Sequence, residues 1–267
     1  MGIVWSAYVY MQELEKKTQF INGHRRVRNF AKLKKILDIL VPSLVRDKMR
    51  QGTKNFAEIE SEITVVVFDI HAFDEIVKSY TTKDLLTLLD QVYNVFDQLC
   101  DQYGLQKIET VGKTYMACGG LKSAERKIDT RLLNRHHSVR VTDFAIECSN
   151  YVKTIFLKNA KSAHSLELAS THLQIKIAIH TGPVISGVVG ETKPQFSLIG
   201  ETCQTTSRIC QAAEPLKVTV SKETLRYLEL YTNNLQFKRI QESGDDFSKD
   251  PLYEVSVFRG RFRKTEF

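Results

Sequence analysis

Ile63-Thr64-Val65-Val66-Val67-Phe68-Asp69 is the stretch on which the fold turns. A continuous β-branched and apolar run of this length reads as a strand buried on both faces, hence central in a sheet. It closes on a carboxylate. Downstream, Phe73, Ile76, Val77 and Tyr80 recur at helical spacing, and Leu85, Leu89, Val92, Phe96 and Leu99 extend the pattern in a longer helix that stops before Gly104. Gln106–Glu109 and Lys113–Cys118 read as two short strands separated by Gly112, a hairpin. Polar residues 122–140 read as a loop. Val141, Phe144, Ala145, Cys148, Val152 and Ile155 mark a second long helix, and residues 158–172 another loop. Leu173, Ile175, Ile177 and Ile179 then alternate as a half-exposed strand. The order is βαββαβ, an α/β (α+β) chain with a ferredoxin-like core. Short elements follow at Val184–Val189, Thr202–Ala213 (helical), Lys217–Val220, Lys222–Leu230 and Leu252–Val257.

Upstream the chain changes character. Of its 267 residues, those from 21 to 50 carry nine Lys/Arg against Asp38 and Asp47, which accounts for the whole net charge of +7. The basic balance therefore belongs to a leader, residues 1–55, ahead of a domain at 56–260, and everything outside residues 21–50 sums to zero. A body with no positive excess and without stacking aromatics on its strands argues against a nucleic-acid partner. Positive charge after the apolar Gly2–Met11 suits the cytoplasmic face of a membrane. Met1-Gly2 with Ser6 also matches the myristoylation pattern, although a start codon explains Met1 more simply. Phe30, Leu33, Leu37 and Leu40 predict an amphipathic helix ending before Pro42, with a second short helix over Ser43–Met49. Two readings stay open: a helix packed on its own domain, or a dimerising signal helix. The five cysteines form no CxxC pair, which speaks against a disulfide framework or a zinc ribbon and for a reducing compartment. No apolar run reaches the ~20 residues of a membrane span.

Four runs carry chemistry. They are Val67-Phe68-Asp69-Ile70-His71-Ala72-Phe73; Lys107-Ile108-Glu109-Thr110-Val111-Gly112-Lys113-Thr114-Tyr115-Met116-Ala117; His180-Thr181-Gly182-Pro183 through Gly190; and Lys193-Pro194-Gln195-Phe196-Ser197-Leu198-Ile199-Gly200 leading to Gln204-Thr205-Thr206-Ser207-Arg208. A carboxylate at a strand end suits a hard cation, although loop-capping aspartates are commoner. Gly182, Gly187 and Gly190 read as backbone geometry.

In this order the four runs resemble the class III nucleotide cyclases, the adenylate and guanylate cyclase family. The resemblance covers residues 56–258. It implies paired domains with shared sites, attack of a ribose 3′-hydroxyl on the α-phosphorus, and loss of pyrophosphate. Two Mg²⁺ or Mn²⁺ ions are implied, held by two aspartates of one domain. Asp69 matches the first aspartate. The second position reads Lys113, whose ammonium repels a metal ion and is suited to neutralise Asp69. The run around it is similar to the second, metal-free domain type.

That type reads the base. Glu109 and Ser197 stand at the two base-contacting positions. A carboxylate accepts from guanine N1–H and N2–H₂, and a hydroxyl donates to O6. Facing adenine, the same carboxylate meets a lone pair and is left unpaired. Arg208 matches the arginine that stabilises the pentavalent phosphorus, and Gln204 stands where the family has the ribose-orienting asparagine. Lys238 and Lys249 are candidates for the triphosphate lysine, without a matching motif.

The expectation is the base-recognising half of a GTP-consuming guanylate cyclase, at the cytoplasmic face of a membrane. It is completed by a second cyclase domain bearing both metal aspartates, as in protozoan guanylate cyclases with two unlike cyclase domains. Isolated, the chain is expected to form weak homodimers with little or no turnover. The alternatives are a catalytically silent cyclase-like regulator and half of an adenylate cyclase.

Overall fold

The computed structural model describes residues 57–125, 128–162, 173–190, 195–240 and 251–257, together with residues 13, 16–20 and 22–32. Contacts divide the chain into two units, residues 1–54 and 55–267. In the first unit the described residues are helical and exposed. The expectations for Gly2–Met11, for Leu33 to Leu40 and for Ser43–Met49 lie outside the described residues.

The second unit is built on β1, Ala57–Ile70. From Ile63 to Phe68 every residue of β1 is buried, as an uninterrupted apolar run requires of a central strand. β1 is longer than the apolar run suggests, because its start at residues 57–60 also pairs with β4. After it come α1 (Phe73–Ser79), α2 (Thr82–Gln102), the hairpin strands β2 (Gln106–Val111) and β3 (Thr114–Gly119), and α3 (His137–Ser162). Then follow β4 (Ile175–Val189), β5 (Gln195–Ile199), α4 (Glu201–Ala212), β6 (Val218–Ser221), α5 (Lys222–Tyr231), β7 (Leu235–Arg239) and β8 (Leu252–Val257). The sheet order is β2-β3-β1-β4-β6-β8-β7, with β5 hydrogen-bonded to β4 off this path. β1 is antiparallel to both β3 and β4, so β1-α2-β2-β3-α3-β4 forms the ferredoxin-like core.

The two faces of the sheet are covered differently. Val66, Phe68 and Ile70 point with Ile175, Ile177 and Ile179 into a core shared with Phe96 of α2 and Phe144 of α3. Phe68 contacts Phe96 at 5.0 Å and meets Tyr115 and Phe144 edge-on at 5.9 and 5.4 Å. Burying each such ring contributes about 1.5–3 kcal/mol, and tilted or edge-on contacts between rings add to that. The opposite face carries α4, whose Cys210 thiol donates to the Val67 carbonyl at 3.5 Å and whose Gln211 carbonyl accepts from Lys176 Nζ at 2.7 Å.

Three local readings change. The alternation from Leu173 and the run Val184–Val189 are one strand, β4, continuing through Pro183. Proline removes a ladder donor and is tolerated in strands beside bulges. Here Glu60 pairs with Val184 and Ile63 with Gly182, so Ser61 and Glu62 together oppose Pro183 in a bulge of β1. Residues 122–140 are not a plain loop: helical turns occupy Lys122–Glu125 and Thr130–Leu133, and α3 begins at His137. The polar sequence there is organised by Arg140, which is buried. Its guanidinium donates to the Tyr103 and Gly104 carbonyls at 3.1 and 2.8 Å and pairs with Glu125. α3 also runs on to Ser162, into the stretch read as a loop from residue 158.

Candidate active site

The β2–β3 hairpin turns on Gly112-Lys113, with Val111 opposite Thr114. Gly112 has φ +57° and Lys113 is not in the positive-φ region, the pattern of a turn with glycine at its first central position. On β2 a register shift falls between Lys107 and Glu109: Lys107 pairs with Ala117, but Glu109 pairs with Met116. In a regular strand Lys107 and Glu109 share a face. The extra residue, Ile108, puts them on opposite faces. Lys107 turns toward α2, where its ammonium lies 2.7 Å from Asp97, a carboxylate that also accepts from the Tyr115 hydroxyl at 2.9 Å. Glu109 turns to the α4 side.

There it enters a cleft of about 450 Å³. Ile108, Met116 and Leu198 supply its apolar walls, and Glu109, Ser197, Gln204, Ser207 and Cys203 its polar ones. Ser197 comes from β5, which β4 holds in place through the Gly187–Ser197 pairing. Gln204 comes from α4, whose buried side is Thr202, Thr206, Ile209 and Cys210. Thr202 sits tight against β4: its hydroxyl donates to the Pro183 carbonyl at 2.6 Å, and a Cβ on Gly182 would lie 2.6 Å from that oxygen. Only glycine leaves room for the helix at that depth. Three of the sequence-predicted residues, Glu109, Ser197 and Gln204, are thus brought together. Arg208 is one turn further along α4, exposed, with its guanidinium donating to Thr205 Oγ1 at 3.1 Å.

Sequence reasoning gave no role to Gln195, whose side-chain amide donates to Glu109 Oε2 at 3.4 Å. The signal was available: Gln195 precedes Ser197 by two residues on one strand and so shares its face. Cys203 was missed as well. Burial, with Glu109 nearby, pushes its thiol up to about 11, which keeps it protonated and unreactive.

Asp69 stands at the other end of the hairpin system, where β1 pairs with Thr114 of β3, and it does not line the cleft. Lys113 Nζ is 3.1 Å from its Oδ1, and the Thr114 hydroxyl donates to its Oδ2 at 3.2 Å. Both carboxylate oxygens are engaged, one of them by a cation. Nearby Tyr93 donates to the Gly112 carbonyl at 3.1 Å, and burial, reinforced by the Asp69 charge, pushes its phenol up to about 12. One carboxylate tied to an ammonium does not fit a two-metal site, and among the described residues Asp69 belongs to no cluster of three metal-ligating side chains. Lys238 lies on β7, at the opposite edge of the sheet from β2, and Lys249 falls outside the described residues.

The chain has relatives among known proteins. The family model described as the adenylate and guanylate cyclase catalytic domain matches residues 56–245. The chain is 28% identical over 227 residues to the receptor-type guanylate cyclase gcy-23 of Caenorhabditis elegans, covering 85% of this chain and 20% of that protein. It is 28% identical over 218 residues to human guanylyl cyclase C, covering 81% and 18%. The chain therefore spans about one fifth of the length of these relatives. Among solved structures, the guanylate cyclase domain of RhGC from Catenaria anguillulae, crystallised with GTP, superposes with a TM-score of 0.60 at 21% identity, over 75% of this chain and 98% of that one.

Proposed function

Because the chain belongs to the adenylate and guanylate cyclase catalytic domain family, we propose that it is the base-recognising half of a guanylate cyclase. A partner cyclase domain carrying both metal aspartates completes it, and together they convert GTP to cyclic GMP and pyrophosphate. The observation that carries this reading is the placement of Glu109 and Ser197 in one cleft, together with the Lys113–Asp69 ion pair.

In the cleft the Glu109 carboxylate accepts from guanine N1–H and N2–H₂, and the Ser197 hydroxyl donates to O6. Gln195 holds Glu109 from the side, and Ile108, Met116 and Leu198 enclose the ring. A site built around one hydrogen-bonding edge rejects the other by leaving a buried carboxylate unpaired. Gln204, projecting from α4 into the same cleft, orients the ribose. Arg208, on the same helix, stabilises charge on the α-phosphoryl group as the 3′-oxygen adds and pyrophosphate leaves. The divalent ions, Mg²⁺ or Mn²⁺, belong to the partner's aspartates. The basic leader places the domain at the cytoplasmic face of a membrane; among the described residues no helix is long and apolar enough to cross one.

The ion pair also favours a second reading, a silent cyclase-like domain that only dimerises and regulates. One experiment separates the two. The purified chain is assayed with GTP and Mn²⁺ alone, then mixed with a cyclase domain that has both aspartates. The proposal expects no cyclic GMP from the chain alone and robust formation from the mixture. Strong turnover by the chain alone sinks the half-site reading, and a mixture no faster than its partner leaves the regulatory one.

A further inference from the structure

The bulge of β1 that accommodates Pro183 also lifts Glu62 out of the strand ladder, toward the start of α3. Two adjacent histidines meet it there. His136 Nε2 lies 3.0 Å, and His137 Nε2 3.3 Å, from the same oxygen, Glu62 Oε1. One ligand atom from each of the three residues lies within 4.8 Å of the others. We propose that Glu62, His136 and His137 form a binding site for a divalent transition metal of the zinc class, separate from the nucleotide cleft.

Three features support the assignment. The first is spacing: zinc bonds of about 2.0–2.1 Å in tetrahedral geometry set neighbouring ligand atoms about 3.3 Å apart, close to the separations seen here. The second is orientation. His137 Nδ1 is 2.9 Å from Thr64 Oγ1, and His136 Nδ1 is 2.8 Å from Ser138 Oγ. Each hydroxyl can accept an N–H from the ring, which leaves the Nε2 lone pair to the metal, as outer-shell partners of metal-bound histidines do. The His136 ring is further fixed by stacking on Tyr231 at 4.2 Å between centroids. The third is access: both imidazoles are largely buried, which favours the uncharged form that ligates, whereas Glu62 stays 39% exposed and leaves a side open for a water ligand. Two imidazoles and one carboxylate select zinc, copper, nickel or iron over magnesium or calcium. Binding has one cost inside the site. The Ser138 amide now donates to His136 Nδ1 at 3.3 Å and loses that acceptor when Nδ1 takes the proton.

Such an ion clamps the bulge of β1 to the first turn of α3, on the strand that carries Asp69. The test is titration of the full chain, stripped by a chelator, with Zn²⁺ and separately with Co²⁺ as a spectroscopic probe. The expected result is one equivalent of cobalt with visible absorption from nitrogen and oxygen ligands and no thiolate charge-transfer band. Zinc at about 100 times its dissociation constant should raise the melting temperature by roughly 5–10 °C. A His136→Asn/His137→Gln variant, its fold checked by circular dichroism, should bind at least ~100-fold more weakly, a loss no smaller than that of removing outer-shell partners. Absence of the cobalt absorption in the unaltered chain overturns the proposal without any variant. So does a thiolate band, or unchanged uptake by the double variant.

Discussion

Glu109 and Lys113 stand four residues apart in one hairpin, yet the two ends they serve have gone separate ways. At the cleft, a half-buried carboxylate is accompanied by a hydroxyl, an amide and an apolar wall. At the end of β1, the carboxylate of Asp69 is answered by the chain's own ammonium at 3.1 Å. On the proposed reading the first end takes a ligand from outside, whereas the second is closed internally. A cyclase site shared between two domains permits that division, because each domain need keep only the half it contributes.

The comparison breaks most visibly at Arg208. In the complex with a competent partner, Arg208→Ala is expected to lower turnover by about 10³-fold or more, the range of arginines that stabilise phosphoryl transfer. A loss below tenfold removes α4 from the chemistry. Exchanging Glu109→Lys together with Ser197→Asp inverts the donors and acceptors of the cleft. Each mismatched group costs about 1–3 kcal/mol, so the GTP-to-ATP preference should move by two or more decades. An unchanged ratio means that these side chains do not touch the base. At the other end, Lys113→Asp restores a second carboxylate beside Asp69. The isolated variant should gain Mn²⁺-dependent turnover at least about tenfold over background, through metal stabilisation of the transferred group, and continued silence shows that the hairpin end lacks more than a ligand. The smallest effect belongs to Lys113→Met. The pair is about half exposed on its lysine side, and such pairs contribute 0–1 kcal/mol. Chemical denaturation should register a loss within that range, and a larger one would make the pair part of the fold's core.

Much of this could be read before any coordinates. The burial of Ile63–Phe68 on both faces followed from an apolar run too long for a half-exposed strand. The helical spacing from Leu85 to Leu99 and the glycine between Gln106–Glu109 and Lys113–Cys118 located α2 and the hairpin for the same kind of reason. The candidate site residues came from the resemblance of four runs to the cyclase family, and hydrogen-bonding chemistry then said which base edge Glu109 and Ser197 suit. The strands β5 and β7 escaped, since Gln195–Ile199 and Leu235–Arg239 are only five residues long, too short for their alternation to stand out.

What the amino-acid order determined by itself was periodicity, the sign of each charge and the presence of Glu109, Ser197, Gln204 and Arg208 at their spacings. These are local properties, set by side-chain type and by the repeat of strand or helix. Which face each residue takes was decided elsewhere. Period 2 puts Lys107 and Glu109 on one side, and only the pairing of β2 with β3, with its extra residue at Ile108, sends one to Asp97 and the other into the cleft. Pro183 reads as a strand end in isolation, and only the two-residue bulge of β1 opposite it lets β4 continue. A bulge is a mismatch between two strands distant in sequence, so neither strand encodes it alone.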